Sequence, residues 1–234
     1  MSSEEKFKVL YFSDILCVWA YLAQVRLDRL VQTFDSKIII EEHFISIFGS
    51  VKPKMEQHWS DGGVSDYAKH VRSIGSRFDH IDIHPDIWVK NTPVSSGGCH
   101  LFLKAIQILD ARDELGASSL STTSNKSIFE RVVWEFRLAF FRDLVDISHF
   151  RFQVEISEKL GLPINKIQQL IDSGEAFSAL DTDLQLKEQY GVVGSPSLVL
   201  NEGRQIIYGN VGYRVIEANI QELINQPENQ ASWC

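Results

Sequence analysis

The sequence predicts an α/β fold interrupted by a long helical segment. Three observations carry that prediction. A β-α-β unit opens the chain, a β-β-α unit closes it, and the stretch between them has helical spacing almost throughout. Phe7 to Phe12 is an apolar run of strand length, and Trp19 to Phe34 reads as an amphipathic helix. Lys37 to Phe48 holds Ile38-Ile39-Ile40 and Phe44-Ile45-Ser46-Ile47-Phe48, a run suited to a strand buried on both faces. At the other end, Ser197 to Leu200 and Gln205 to Tyr208 flank the turn Asn201-Glu202-Gly203-Arg204 and predict a hairpin. Gly209 to Gly212 breaks the chain, and Val215 to Ile224 returns to helical spacing. The tail from Asn225 to Cys234, with Pro227 and several amides, is expected to fray.

The stretch from about residue 55 to 190 is too long for a loop. Helices are predicted over Gly63–Phe78, Cys99–Leu115, Lys126–Phe141 and Ser148–Leu160, the last opened by a cap signal at Asp146-Ile147-Ser148. Gly161-Leu162-Pro163 ends that helix and begins another through Ile171, and Ala176–Tyr190 follows before Gly191. Residues 1–54 and 191–234 are therefore expected to form one α/β unit, with 55–190 an all-helical unit inserted into it.

Composition bounds the chemistry. The chain has 234 residues, 44% hydrophobic and 23% charged, enough to bury a substantial core. A net charge of -8 argues against a broad nucleic-acid or anionic-membrane surface. No run is long enough to cross a bilayer. Met1-Ser2-Ser3-Glu4-Glu5-Lys6 lacks the basic start and apolar stretch of a secretory signal. Cys17, Cys99 and Cys234 are an odd set at long spacings, which speaks against a disulfide framework. A cytoplasmic protein without nucleic-acid or membrane partners is expected.

Two segments carry the chemistry. In Tyr11-Phe12-Ser13-Asp14-Ile15-Leu16-Cys17-Val18-Trp19-Ala20-Tyr21, Cys17 falls at the first turn of a helix after a strand. Unpaired backbone N–H groups and the helix dipole there favour a thiolate. Asp14 either caps the helix or tunes the thiol; a nearby carboxylate would raise the thiol pKa against the helix terminus, so the net effect is open. Trp19 is either a lip beside the thiol or a core aromatic, and Tyr21 is read as packing. The second segment, Gly191-Val192-Val193-Gly194-Ser195-Pro196-Ser197, places a proline before a buried strand, in a tight turn open to a cis peptide bond.

Together these segments resemble the DsbA-like branch of the thioredoxin superfamily, particularly its FrnE-like oxidoreductases. That group has Asp, two apolar residues, Cys-Pro-Trp-Cys and Tyr where this chain has Asp14, Ile15, Leu16, Cys17, Val18, Trp19, Ala20 and Tyr21. The resemblance continues through Pro93-Val94-Ser95-Ser96, the Cys99–Leu109 helix with Lys104-Ala105, Phe140 to Ser148, and Gly191 to Leu200. It implies a thioredoxin-like core with an all-helical insertion and an active site at their junction. It also implies that Ser195 pairs its backbone with a bound peptide or with glutathione, and that Pro196 shapes the site.

The departures narrow the chemistry. Val18 stands for Pro, and Ala20 for the resolving Cys that would attack the mixed disulfide. Kappa-class glutathione transferases and 2-hydroxychromene-2-carboxylate isomerases are similar in fold and use a Ser where Cys17 lies. The first expectation is thus a thiol-disulfide oxidoreductase working through Cys17, with no covalently bound cofactor and glutathione as co-substrate. Its substrates would be small thiols or disulfides, or protein disulfides, and a homodimer is left open. The alternatives are a kappa-type glutathione-dependent transferase or isomerase, and a redox-inactive binding module of the same fold. Cys99, after Gly97-Gly98 at a helix start, is an alternative thiol partner for Cys17. Cys234 is read as a terminal thiol. No metal site is expected: His43, His58, His70, His100 and His149 are scattered, and His80-Ile81-Asp82-Ile83-His84 is read as loop.

Overall fold

The structure is a computed structural model and describes residues 6–34, 37–59, 62–116 and 126–225. The opening unit is β1 (Phe7–Ser13), α1 (Val18–Phe34) and β2 (Ile38–Phe44). The closing unit is β3 (Ser197–Leu200), β4 (Gln205–Tyr208) and α9 (Tyr213–Asn225), with a 3-10 turn at Asn201–Gly203. Between them lie α2 (Val51–His58), α3 (Gly63–Gly75), α4 (Gly97–Ala111), α5 (Ile128–Phe141), α6 (Phe150–Lys159), α7 (Ile164–Asp172) and α8 (Glu175–Gln189). Cys234 and most of the tail expected to fray lie outside the described residues.

The strands form one mixed sheet in the order β2-β1-β3-β4. β2 runs parallel to β1, and β3 and β4 are antiparallel to their neighbours. Strand alternation sends Val9 and Tyr11 to one face, where they meet Leu27 and Leu30 of α1 and Ile216 and Ile220 of α9. Leu10 and Phe12 go to the other face, against Val199, Val192 and, from α8, Leu186. The largest core cluster lies beyond the sheet. It joins Ile15, Leu16 and Cys17 to Phe44, Phe48 and the inward faces of α3, α4 and α5, so the loop bearing the thiol is packed into the helical region.

Two expectations need correction. β2 is not buried on both faces: it is an edge strand with Ile39 46% exposed, and it ends at Phe44, four residues short of the expected Phe48. Helix α2 was not foreseen, and it runs across residue 54, where the sequence divides the two units. Pro53 sits in its first turn, where a missing N–H does no harm.

Candidate active site

The β1–α1 loop, the start of α4 and the turn before β3 converge on Cys17. The Cys17 N–H donates to the Asp14 carbonyl at 3.0 Å, and the Cys17 carbonyl accepts the Tyr21 N–H at 3.0 Å. Cys17 thus immediately precedes α1, at its cap, rather than lying inside its first turn. Its Sγ donates to the Ser195 carbonyl at 3.3 Å, and the Ser195–Pro196 peptide bond is cis. The Ser195 Oγ accepts the Asp14 N–H at 2.9 Å, a second tie between the cysteine loop and the proline turn. Among the described residues, the Ser195 N–H donates to no acceptor.

Asp14 is fully buried beneath the thiol. Its Oδ1 accepts the Leu16 N–H at 2.9 Å; its Oδ2 accepts the Phe48 N–H and the Ser96 hydroxyl, each at 2.8 Å. Asp14 is therefore not an ordinary cap of α1. It fastens the cysteine loop to the segment after β2 and to the start of α4. His100, also fully buried, sits beside it with Nε2 3.6 Å from Asp14 Oδ1. That same Nε2 accepts the Ile15 N–H at 3.1 Å, which assigns the ring proton to Nδ1; Nδ1 has no partner among the described residues.

Burial decides the electrostatics of the thiol. Cys17 is 4% exposed, and desolvation raises its pKa above the ordinary thiol value, with the Asp14 charge pushing the same way. Hydrogen bonding from the Ser195 side chain and the backbone of Ala20 and Trp19 pulls it down without winning. The expectation that a helix start would make the thiol acidic is thus reversed, because the low-dielectric surroundings outweigh the terminal N–H groups. Cys99 fares the same way. It is fully buried, and desolvation followed by the Asp14 and Asp146 charges drives its thiol well up. Both cysteines are free thiols.

The remaining predicted residues fall as follows. Trp19 is half-buried and packs against the main core, and Pro196 leads into β3 behind the thiol. Tyr21 is packing, stacked on Phe141 at 4.7 Å, with its hydroxyl donating to the Asp82 carbonyl at 3.2 Å. His80 and His84 lie outside regular structure and serve separate contacts, His80 to the Leu22 carbonyl of α1 and His84 to the Asp86 N–H. Sequence reasoning missed His100, whose only signal was its place next to Cys99 on a helix face. It also missed Tyr67 of α3, which packs on Phe48 at 5.8 Å and has its hydroxyl pKa raised well up by desolvation, then by the Cys17 and Asp14 charges. Chemically, the site offers a neutral, donating thiol, an unengaged backbone N–H at Ser195, and no second sulfur at position 20.

Residues 8–221 match the DSBA-like thioredoxin domain family, and the chain belongs to that family. No curated protein matches the sequence. Among solved structures, the chain is similar to the probable DsbA oxidoreductase SCO1869 from Streptomyces coelicolor. The TM-score is 0.69 at 14% identity, covering 97% of this chain and 93% of that one. It is similar to the cytosolic disulfide reductase DsbM from Pseudomonas aeruginosa, with TM-score 0.63 and 14% identity over 92% of this chain and 98% of that one. DsbM has also been solved with GSH. A 2-hydroxychromene-2-carboxylate isomerase matches at TM-score 0.60 and 17% identity, over 96% of this chain and all of that one. At such identities these likenesses establish the thioredoxin fold with its helical insertion. Among the described residues, no helix is long and apolar enough to cross a membrane.

Proposed function

We propose that this protein is a thiol-disulfide oxidoreductase that works through Cys17 alone and takes glutathione as its thiol partner. The observation that carries this reading is the Cys17 Sγ held at 3.3 Å from the Ser195 carbonyl, next to an unengaged Ser195 N–H. An extended peptide laid along Ser195 would pair with that N–H and bring its sulfur over Cys17, a one-residue form of strand addition. Ala20 leaves no resolving thiol at the usual position, and the other described cysteine, Cys99, is fully buried with its thiol pKa well raised, so an external thiol releases the mixed disulfide.

The reaction balances as two exchanges. The Cys17 thiol gives its proton to solvent, and the thiolate attacks a glutathione-bearing disulfide. A Cys17–glutathione disulfide forms, and the other sulfur leaves and is protonated. A second glutathione thiolate then attacks the glutathione sulfur, releasing oxidised glutathione and restoring Cys17. This chemistry suits a reducing, glutathione-containing compartment such as the cytoplasm, where the similar DsbM acts as a disulfide reductase. Small glutathione mixed disulfides follow this route; with an exposed protein disulfide the first exchange joins Cys17 to one protein sulfur and frees the other as a thiol, and a glutathione thiolate then attacks the bound protein sulfur, releasing Cys17 and leaving the protein glutathionylated.

A second reading is favoured by the raised thiol pKa. In a kappa-type transferase or isomerase, Cys17 would stay protonated and donate to the sulfur of bound glutathione, which would do the chemistry itself. Peptide mapping by mass spectrometry after exposure to oxidised glutathione separates the two. The oxidoreductase reading expects a glutathione adduct on Cys17 that is absent in Cys17→Ser. An unmodified Cys17, with glutathione-dependent turnover of an electrophile that survives Cys17→Ser, would select the transferase instead.

A further inference from the structure

Tyr67 of α3 is a buried phenol that the two exchanges above leave unused. Neighbouring rings fix its own: Trp88 at 5.0 Å and Trp59 at 5.4 Å meet it edge-on, and Phe48 lies 5.8 Å away. Trp88 is fully buried and has a φ of 66°, uncommon for so bulky a residue, in the conformation that sets its indole against Tyr67. Phe48 is in turn tied to the cysteine loop, its N–H donating to Asp14 Oδ2 at 2.8 Å. Tyr67 and Cys17 share one packed cluster, with Phe48 between α3 and the loop that bears the thiol.

The hydroxyl at the end of that ring is unengaged. A buried tyrosine ordinarily ends on a hydrogen-bond partner. Tyr67 is 7% exposed, and its hydroxyl makes no hydrogen bond among the described residues, although it is not sealed from solvent. After desolvation, the charge it feels most is that of Cys17, followed by Asp14, yet no hydrogen bond joins it to either. The phenol therefore faces the thiol across a gap. When Cys17 attacks a disulfide in line, the departing sulfur lies about 4 Å beyond Sγ, the span of two S–S bonds, and falls in such a gap. Desolvation and the same charges keep the phenol protonated, so it meets a sulfur as a donor.

We propose that the Tyr67 hydroxyl is a catalytic hydrogen-bond donor to the sulfur that leaves when Cys17 attacks a disulfide. This role rests on the Cys17 exchange proposed above. The bond from Cys17 Sγ to the nearer sulfur forms, the substrate's S–S bond breaks, and the bonding pair departs on the outer sulfur. Tyr67 donates to that pair as its charge grows and keeps its own proton; solvent then protonates the released thiolate. The glutathione thiolate that later attacks approaches along the same line and meets the same O–H. The donor matters most for a basic leaving thiol such as that of glutathione, and least for an acidic one that leaves readily unaided.

Tyr67→Phe keeps the packed ring and removes only the donor. Rates of Cys17 modification by oxidised glutathione, dipyridyl disulfide and iodoacetamide, compared with wild type at one pH, test the role. The variant should be slower by about tenfold with oxidised glutathione and by less than about twofold with dipyridyl disulfide, whose leaving group is a weak base. Alkylation, in which no sulfur departs, should be unchanged. A second measurement needs no variant. Across a series of alkyl disulfides, wild-type rates should fall less steeply with leaving-thiol pKa than those of free N-acetylcysteine. An unchanged rate with oxidised glutathione, equal slowing with all three reagents, or matching slopes would overturn the assignment and leave the Cys17 exchange standing. A wild-type Cys17 that takes up no glutathione would overturn the exchange itself, and the role of Tyr67 with it.

Discussion

Cys17 reacts as its surroundings dictate, and these disfavour its charge. Burial, the first cause, and the Asp14 carboxylate, a lesser one, hold the thiol pKa above the ordinary value of about 9. Only the small thiolate fraction is nucleophilic, so alkylation of Cys17 by iodoacetamide should accelerate by about tenfold per pH unit from pH 7 to 9. A plateau near neutrality would mean that the thiol is acidic after all. Asp14→Asn removes one of the two raising influences while keeping the side-chain shape. Alkylation at pH 7.5 should then quicken by about threefold to tenfold. The same change should lower the thermal midpoint, because an amide NH2 would confront the Phe48 N–H or the Ser96 hydroxyl now satisfied by carboxylate oxygen.

At the scale of elements, the helical insertion is fastened to the sheet by buried polar ties that converge on β2. Asp183 of α8 accepts from Lys104 of α4 at 2.8–2.9 Å and from the Phe44 N–H at 2.8 Å, and lies 2.7 Å from His43 Nδ1. Arg137 of α5 is fully buried and donates to the Ser13 hydroxyl and Gln24 at 3.0 Å and to Glu42 at 3.3 Å. Asp183→Ala would strand the buried Lys104 ammonium and the Phe44 N–H, a loss of about 3–5 kcal/mol by urea unfolding. Lys166→Ala, which breaks the exposed pair with Glu114, should change stability by less than about 1 kcal/mol. Equal effects would show that the buried cluster does not tie the units together.

The elements were largely legible because helical periodicity and turn residues are local signals. The hairpin at Asn201, the helix after Pro163 and the stop at Gly191 all follow from neighbours in the chain. Helix α2 escaped because it buries only Val51 and Met55 and carries Pro53, too little apolar spacing to register. The edge position of β2 escaped because an isoleucine run does not reveal which strands will flank it. The same division holds at the site. Cys17 and Ser195-Pro196 announce themselves as motifs. Ser96 and His100 reach the Asp14 loop across 82 and 85 residues of chain, a proximity created by packing alone.

At the scale of the whole molecule, acid groups that resist ionisation accumulate. Desolvation raises the thiols of Cys17 and Cys99 and the hydroxyls of Tyr11 and Tyr67 above their ordinary values. In the unfolded chain these groups titrate at about 9 for Cys and about 10 for Tyr. As pH rises past those values, the unfolded chain releases protons that the folded chain retains, so it binds fewer and folding loses stability. The contribution of these groups is complete below about pH 8 and falls above it, by about 1.4 kcal/mol per pH unit for each group between its unfolded and folded pKa. Urea midpoints measured from pH 7 to 10.5 should therefore decline, first through the cysteines and then more steeply through the tyrosines. Cys99→Ala should blunt the first part of that decline; a midpoint constant to pH 10.5 would contradict the burial assigned to these side chains.

The proposed chemistry has a single thiol, facing the turn before β3, exchange with glutathione. A crystal structure of the protein treated with oxidised glutathione tests it most directly. The expected density is a disulfide from Cys17 Sγ to the glutathione sulfur, with the glutathione backbone accepting the Ser195 N–H. Glutathione bound with its sulfur free and Cys17 still a thiol, or no glutathione at Ser195 at all, would contradict it.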